Sequence, residues 1–587
     1  MIKFLIKNHW RALVLAFCVG IIILLPTLLS IQKIGLDNFK GIYPMLSDDE
    51  DHYMAEVKEA YDGHFSMGNP YIKEYKETLY TQPPVGPAYY AIFAKVFNVS
   101  VGTATTINDF ILPFIAVLLL YSLFFLITKS RKISLIFSAI FFISFTSSFN
   151  RLVNPQLSFI FLLSGLCLIW LIVDKKHSKK ELIKYNLLLS VIFGILVYIY
   201  PFYWMTIGVV YVLLTSFRAL IEKDFKYCLQ NWIYFFIPAI LWSVPFLLHA
   251  QKLFISPLFD ETNLRNGFIN THIPGSFVNI AIMIICLPLV YLIWKLAKRE
   301  RSWPETKLVF LGISLVLGGI ILNWQNIITG KIIQFAPHFY PIEILFVCII
   351  LVISSLFIDI KKLSKYSLAL LCLVVIFTSG IFYKQRGEIL YALKIIVSPK
   401  DIGTTQNLGD VTTWLNDNTP GDSVAYVLGK DYIWAIPIYT RNNLYFNSNA
   451  GLSLMSDTEL ENRWVISRFF ENIDENAVRK ASREIWTNKF IETYQSKESR
   501  RKILKLIIGN AYPETPSGDQ SYIDKVLNAY NKYKNIGFEK AIKTYEVDYI
   551  VLDKSYEKYP EVVEKFKFYR FLTFLTQIGD TSIYKVN

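Results

Sequence analysis

Long apolar segments recur along the chain as far as about residue 383, separated by short polar connections. A helix needs about 20 mostly apolar residues to cross the hydrocarbon core of a bilayer, and most of these segments approach that length. We therefore predict a polytopic α-helical membrane protein with about eleven transmembrane helices. The predicted segments are 12–31, 107–128, 133–149, 157–173, 187–204, 205–220, 230–249, 276–297, 308–322, 341–359 and 366–383.

The connections between these segments alternate in charge. The basic ones are 129–132, 174–181, 218–226, 295–307 and 361–365, and those with few cations are 150–156, 198–205, 250–275 and 323–340. All the basic connections fall on the side of the N-terminus when the segments are counted. Since basic loops stay in the cytoplasm, the N-terminus is predicted to be cytoplasmic, and an odd number of spans places the C-terminus outside.

Residues 384–587 lack long apolar runs and are predicted to form a separate extracytoplasmic domain of mixed α/β structure. Residues 1–383 form the predicted membrane domain. The predicted strands of the second domain are 422–428, 443–447, 549–552 and 581–586, and its predicted helices are 458–470, 474–493 and 523–545.

Composition supports the membrane assignment. Of the 587 residues 53% are hydrophobic and only 18% are charged, whereas soluble proteins average about a quarter charged. The net charge of +13 lies largely in short loops, which argues against a nucleic-acid partner. No cysteine follows Cys372, and no Cys/His spacing typical of a metal site exists, so neither disulfides nor a zinc site are expected.

The first external segment, about 32–106, is too long for a simple loop. It contains two amphipathic patterns, from Ser47 to Tyr61 and over 85–97, and Gly63 is predicted to end the first helix. Ser47 and Glu50 fit a capping box. We predict that both helices lie flat on the outer leaflet, with their apolar faces down.

Residues 47–53, with the sequence SDDEDHY, are unusually acidic for a position beside a bilayer. Acidic side chains in a first helical turn stabilise the helix dipole, which accounts for Asp48 and Glu50. That explanation does not require Asp51 or His52. Carboxylates are rarely kept at a membrane surface without a partner or a task, so this stretch is a candidate active site.

The acidic stretch at the end of the first span, followed by a long external segment, resembles the GT-C superfamily of membrane glycosyltransferases. Asp49-Glu50-Asp51 is similar to the D-x-D motif of that superfamily, and segments 49–70 and 323–330 look like those of its bacterial members. The superfamily includes protein O-mannosyltransferases, the aminoarabinose transferase and the oligosaccharyltransferase catalytic subunit. The resemblance covers residues 1–385 in topology, which would make the membrane domain GT-C-like and catalytic.

The resemblance implies a glycosyltransferase that moves a sugar from a polyprenyl-phosphate or polyprenyl-diphosphate carrier to an acceptor hydroxyl on the outer face of the plasma (inner) membrane. A carboxylate must take the proton of the acceptor, and Asp49, then Asp51, are the candidates. Asp48, Glu50 and His52 are expected to support them. Cations must meet the charge of the leaving phosphate, and the candidates are Lys331, His338 and Arg151, although interfacial anchoring also explains these three.

Two further features leave alternatives open. Asp49 and Asp51 suit Mg²⁺ or Mn²⁺, and Asp260-Glu261 would complete such a site unless, as we favour, they are solvated loop residues. The aromatic residues of segment 198–204 are either a sugar-stacking surface or, as we favour, part of the interfacial belt.

The acceptor is a glycan, a lipid or a protein. The external domain has no W-W-D-Y-G motif, the oligosaccharyltransferase signature, so transfer to the asparagine of a glycosylation sequon is not expected. The alternative functions are a lipid or glycan transporter or flippase, and a non-catalytic membrane scaffold. Apolar segments almost free of charge argue against transport.

The orientation is tested with a disulfide-dependent reporter fused to each end of the chain. Such a reporter folds only outside the reducing cytoplasm, so we expect activity from a fusion after Asn587 and none from a fusion before Met1. The reverse pattern would contradict the predicted topology.

Overall fold

The computed structural model describes residues 2–587 except 48, 273, 275–276, 298–302, 333–337, 360–363, 401, 430, 491–508 and 510–519. The helices of the membrane domain and its external loops are α1 (Ile2–Ile34), α2 (Glu50–Asp62), α3 (Val85–Phe97), α4 (Val101–Thr128), α5 (Arg131–Phe145), α6 (Ser158–Asp174), α7 (Lys179–Val197), α8 (Pro201–Glu222), α9 (Phe225–Ile255), α10 (Phe259–Arg265), α11 (Phe277–Ile285), α12 (Leu287–Leu296), α13 (Trp303–Trp324), α14 (Asn326–Thr329), α15 (Tyr340–Leu356) and α16 (Lys365–Val397). Two short strands, β1 (Ile269–Asn270) and β2 (Lys331–Ile332), pair antiparallel outside the helices.

The helical membrane architecture is confirmed, but the count of eleven spans is not. Among the described residues, seven helical segments are long and apolar enough to cross a membrane: Asn8–Ile34, Val101–Thr128, Pro201–Glu222, Phe225–Ile255, Phe277–Leu296, Thr306–Thr329 and Lys365–Gly387. α6 and α15 are shorter apolar helices. α5 has 15 residues, about 22 Å of helix against a core of about 30 Å, and the first turns of α7 carry several charges.

The predicted boundary between the segments 187–204 and 205–220 is wrong by several residues. α7 ends at Val197, and α8 begins at Pro201. Proline favours the first turn of a helix because its missing N–H group has no partner there in any case. The aromatic residues that follow it therefore belong to a buried helix start rather than to a loop.

α4 lies at the centre of the membrane domain, where it packs against α1, α5 and α6. Gly20 of α1 allows a close approach, since a Cβ atom there would lie 2.7 Å from the Phe110 ring of α4. Small residues permit such backbone contacts where lipid offers no hydrophobic gain for association. The outer end of α4 and the loop after α1 are thereby held side by side.

The C-terminal region forms the predicted mixed α/β structure. Its helices are α17 (Asn407–Asn418), α18 (Tyr432–Tyr439), α19 (Asp457–Ser467), α20 (Glu475–Lys480), α21 (Ser482–Trp486), α22 (Gln520–Ile536), α23 (Phe538–Ile542) and α24 (Tyr559–Phe566), and its strands are β3 (Val424–Leu428), β4 (Asn443–Leu444), β5 (Tyr549–Asp553), β6 (Leu572–Ile578) and β7 (Thr581–Val586).

These five strands form one sheet in the order β4-β3-β5-β7-β6. β3 is parallel to β4 and β5, and β7 pairs antiparallel with β5 and β6. The four predicted strands are present, whereas β6 was not predicted. Its largely exposed edge position gives it no buried apolar run to recognise in the sequence.

The C-terminal domain is docked on the first external segment. The Leu444 amide at the β4 edge donates to the Tyr71 carbonyl at 2.8 Å, and α18 packs on α2. α2 is therefore buried between two parts of the protein, and the prediction that it lies flat on the leaflet is wrong. α3 does expose an apolar face through Ile92, Val96 and Phe97.

A second docking contact is formed by Arg265, the last residue of α10. Its fully buried guanidinium pairs with Asp457 and donates to the carbonyl of Gly451 at 2.7 Å. Lys489 also pairs with Asp457. A buried charge of this kind is tolerated only when it is fully partnered, so the contact fixes the second domain against the external loop.

We expect Arg265→Met to weaken this docking. Breaking a buried ion pair costs about 3–5 kcal/mol, and we expect the lower end because Lys489 still pairs with Asp457. Thermal unfolding and limited proteolysis of the detergent-solubilised protein measure the effect. Lys554→Met, which breaks the exposed pair with Asp580, is the control and should unfold like the wild type. Equal behaviour of both variants would contradict the assignment.

Candidate active site

The acidic stretch forms a tight turn before α2. Asp49 has a left-handed backbone (φ 62°), and its carbonyl accepts from the Tyr53 amide at 3.1 Å, which starts the helix. The Glu50 carboxylate reaches back to the amides of Leu46 and Ser47 at 2.7 and 3.0 Å. The bond from the Ser47 amide to the Glu50 side chain is one half of the predicted capping box. The residue at the N-cap position is Asp49, however, and not Ser47 as predicted. Asp48 lies outside the described residues.

Glu50 holds the turn that carries Asp49. A left-handed conformation costs a non-glycine residue roughly 1–2 kcal/mol, so it needs support from its surroundings. The carboxylate of Glu50 supplies that support on one side. On the other side, Lys400 in the connection to the second domain donates to the Met45 carbonyl at 3.0 Å. Burial raises the pKa of Glu50 to about 7, although the bonds from Ser47 and Leu46 and the charge of Lys400 oppose that rise.

Arg151 pairs with Asp49. Its Nη2 lies 2.8 Å from Asp49 Oδ2, and its guanidinium lies 5.5 Å from the centre of the Tyr53 ring. Arg151 follows the short 3₁₀ turn Thr146–Asn150 between α5 and α6. The Asp49 side chain is 59% exposed and that of Arg151 is 29% exposed. The pair therefore stands at the boundary between a buried cluster and an open surface.

His338 belongs to the buried side of this cluster. Its Nδ1 lies 2.6 Å from the Tyr200 hydroxyl, and its ring stacks on Phe202 at 4.8 Å. Burial and the nearby charge of Arg151 lower the pKa of His338 to about 4. The imidazole is therefore neutral at physiological pH. It contributes hydrogen bonding, not the positive charge expected from the sequence.

Three buried polar atoms around Arg151 have no hydrogen-bond partner within the described part of the chain. They are Arg151 Nε, the Tyr203 hydroxyl and Asn150 Oδ1. Such atoms are rare because each unsatisfied group costs about 1–3 kcal/mol. The Arg151 Nε–H group has no acceptor among the described residues, and the Tyr203 hydroxyl lies near the Ser158 side chain. A guanidinium with a spare N–H and a neighbouring hydroxyl suits a bound anion.

The aromatic residues of segment 198–204 are only partly an interfacial belt. Tyr200, Phe202 and Tyr203 are buried and surround His338. The preference for an interfacial role is therefore wrong for these three. Pro201 was the available signal, because a helix that begins there turns the neighbouring side chains toward the interior.

The remaining candidates lie elsewhere. Asp51 lies within electrostatic reach of Tyr71, and His52 is buried with its Nδ1 2.9 Å from the Tyr71 hydroxyl. The Lys331 ammonium packs over the Phe254 and Phe259 rings at 5.5 and 5.8 Å.

Among the described residues, no group of three or more His, Cys, Asp or Glu side chains is arranged to hold a metal ion. Glu261 is not a solvated loop residue, because its carboxylate accepts from the Asp457 amide at 2.7 Å. Asp49 and Asp51 as ligands of Mg²⁺ or Mn²⁺ remain a prediction.

No family model matches the chain, and no curated protein matches it. Among solved structures, the chain is similar to ArnT from Cupriavidus metallidurans bound to undecaprenyl phosphate, at 11% identity over 99% of this chain and 98% of that one, with a TM-score of 0.45. It is also similar to the archaeal oligosaccharyltransferase AglB from Archaeoglobus fulgidus in complex with an inhibitory peptide and a dolichol-phosphate, at 12% identity over 99% of this chain and 75% of that one, again with a TM-score of 0.45.

Glu50 gives a testable dependence of stability on pH. Its carboxyl titrates near 4.5 in the unfolded chain and near 7 in the folded protein, so the folded state binds the proton more tightly. This contribution to stability is present below pH 4.5 and is lost as the pH rises through 7. We expect Glu50→Gln to flatten the fall in Tm between about pH 5 and pH 8, and the exposed control Glu557→Gln to retain it. Equal slopes in all three proteins would refute the assignment.

Proposed function

We propose that the protein is a glycosyltransferase that takes a sugar from a polyprenyl-phosphate carrier and transfers it to an acceptor hydroxyl at the outer face of the membrane. The observation that carries the proposal is the Asp49–Arg151 pair, with an Arg151 Nε–H group that has no acceptor among the described residues and the Tyr203 hydroxyl nearby. A carboxylate and an anion site at one boundary between buried and open surface match the needs of displacement at an anomeric carbon.

Arg151 meets the phosphate in this proposal. The leaving lipid phosphate gains negative charge as its bond to the sugar breaks, and a guanidinium in a water-poor site stabilises that charge strongly. The Tyr203 hydroxyl adds a neutral donor, and His338 acts through the Tyr200 hydroxyl. The phosphate of a lipid carrier can reach such a site while the lipid tail stays in the bilayer.

Asp49 is the general base. The acceptor hydroxyl loses its proton to the Asp49 carboxylate as its oxygen bonds to the anomeric carbon, and the electron pair of the breaking bond leaves with the lipid phosphate. The exposed side of Asp49 admits an acceptor from the aqueous phase. Phosphate binding competes with Asp49 for Arg151, so donor binding would release the carboxylate for its task.

The proposal ranks the candidates from the sequence. Asp49, Arg151 and His338 form one cluster. Lys331 packs on the Phe254 and Phe259 rings, and the described residues give Asp51 no ion pair with Arg151. A divalent cation, if required, would be held by Asp49 together with phosphate oxygens of the donor, since Mg²⁺ often keeps few protein ligands.

We expect Asp49→Asn to lower sugar transfer by about 10²–10⁴-fold, the usual contribution of a general base, without loss of the folded protein. Arg151→Gln should weaken the binding of polyprenyl phosphate. Transfer is measured on membranes supplied with a panel of radiolabelled polyprenyl-phosphate sugars, and binding is measured as the rise in Tm with polyprenyl phosphate.

Asp51→Asn and Lys331→Gln are the matched carboxylate and cation controls. Both should retain most of the transfer and binding because neither side chain forms an ion pair with Arg151 or Asp49 among the described residues. The proposal fails if Asp49→Asn turns over like the wild type, or if the wild type binds no polyprenyl phosphate. Uptake or flipping of a labelled lipid that is insensitive to Asp49→Asn would favour a transporter.

A further inference from the structure

Gln156 is a fully buried side chain below the candidate active site. Its amide group donates to Asp109 Oδ1 at 2.7 Å and to the Phe149 carbonyl at 2.9 Å. Its carbonyl oxygen accepts from the Tyr90 hydroxyl at 2.6 Å. The side-chain amide is therefore engaged on both sides.

The partners of Gln156 come from three separate elements. Tyr90 belongs to α3, Asp109 belongs to α4, and Phe149 belongs to the 3₁₀ turn before Arg151. The Gln156 backbone amide also donates to the Arg151 carbonyl at 3.4 Å. Gln156 thus ties the loop that carries Arg151 to two helices that do not belong to it.

Asp109 relates this network to the acidic turn. It is a buried carboxyl in a membrane helix, where an ionisable group is costly and is usually retained for a task. It lies within electrostatic reach of Glu50, which holds the turn of Asp49. Asp109 is therefore bonded to the residue that ties down the Arg151 loop and interacts electrostatically with the residue that holds the turn of Asp49.

We propose that Gln156, held by Asp109, is a positioning residue that places Arg151 for the phosphate of the donor. The inference rests on the proposed function for the identity of the anion. The placement of the Arg151 loop by Gln156 does not depend on which anion binds. Gln156 touches neither substrate nor reacting atoms, and it acts only through the loop of Arg151.

The test exchanges the donor and acceptor roles in the hydrogen bond between Gln156 and Asp109. Gln156→Glu removes the donor and sets two carboxyl groups against each other. Asp109→Asn keeps an acceptor for Gln156 and should be nearly silent. In the double variant Asp109→Asn/Gln156→Glu, the new amide at position 109 can donate to the new carboxylate at position 156. Tyr90 still donates as before, so the contact between positions 109 and 156 is restored with reversed polarity, whereas the bond to the Phe149 carbonyl stays lost.

Asn186→Asp is the matched control for a buried amide elsewhere in the membrane domain. The Asn186 amide likewise accepts from a tyrosine, Tyr211, at 2.6 Å and donates to a side-chain oxygen, that of Asn231, at 3.0 Å. It lies between α7 and α9, away from Arg151. The Asn186→Asp variant shows how much a new buried carboxylate lowers stability when it lies away from the Arg151 loop.

Polyprenyl phosphate is the binding probe, with the protein in detergent or nanodiscs. Gln156→Glu removes two buried hydrogen bonds, those donated to Asp109 and to the Phe149 carbonyl. We therefore expect it to weaken the affinity about tenfold, and the double variant, which restores only the contact with position 109, to recover part of that loss. Asp109→Asn and Asn186→Asp should bind like the wild type, whatever their Tm. Unchanged affinity in Gln156→Glu, an equal loss in Asn186→Asp, or no recovery in the double variant would overturn the inference.

A second measurement needs no ligand. Crosslinking by a short bismaleimide reagent between cysteines placed at positions 49 and 151, in a chain without the six native cysteines, reports whether the two loops face each other. We expect Gln156→Glu to slow this reaction and the double variant to restore it. A wild type that binds no polyprenyl phosphate but shows this pattern would refute the proposed function and uphold the positioning role, whereas unchanged crosslinking in Gln156→Glu would refute the positioning role.

Discussion

The ion pair between Asp49 and Arg151 joins two loops that the sequence separates by about a hundred residues. An exposed pair of this kind contributes little to stability by itself, because water screens the charges and the side chains lose freedom. Its geometry must therefore be set by the surroundings. Glu50 fixes the turn of Asp49, Gln156 fixes the loop of Arg151, and α4 carries Asp109 between them. The arrangement is costly unless the pair has a task.

The electrostatic character of the cluster follows from the mixture of charged and neutral groups in it. Arg151 brings the charge, while His338, Tyr200 and Tyr203 bring neutral hydrogen-bonding groups. Burial keeps the imidazole uncharged, and the nearby guanidinium strengthens that effect. An anion that binds on the buried side of this cluster meets one full charge and several oriented dipoles.

Much of the architecture follows from local sequence patterns. Apolar segments locate the helices, basic loops predict the orientation, and short strand-forming runs locate β3, β5 and β7. The acidic stretch and Arg151 and His338 were recognised as candidates because polar groups at helix ends are conspicuous beside a membrane. The left-handed turn at Asp49 was not predicted, since it depends on a side chain one residue later and on amides three and four residues before it.

Contacts between distant segments set the limit of prediction. Nothing near Lys331 in the sequence reveals that it packs on Phe254 and Phe259, and nothing near Glu261 reveals its bond to the Asp457 amide. Gln156 looked like an ordinary loop residue. Its importance appears only when α3, α4 and the turn before Arg151 are brought together, which is a property of tertiary packing rather than of spacing.

The docking of the C-terminal domain bears on how the protein is made. α2 lies between the membrane helices and α18, and the β4 edge bonds to Tyr71 of the first external loop. The acidic turn is synthesised early, whereas Lys400 and α18 follow more than 300 residues later. The turn and α2 therefore gain their full set of contacts only after the C-terminal domain has been made and has docked on the first external segment.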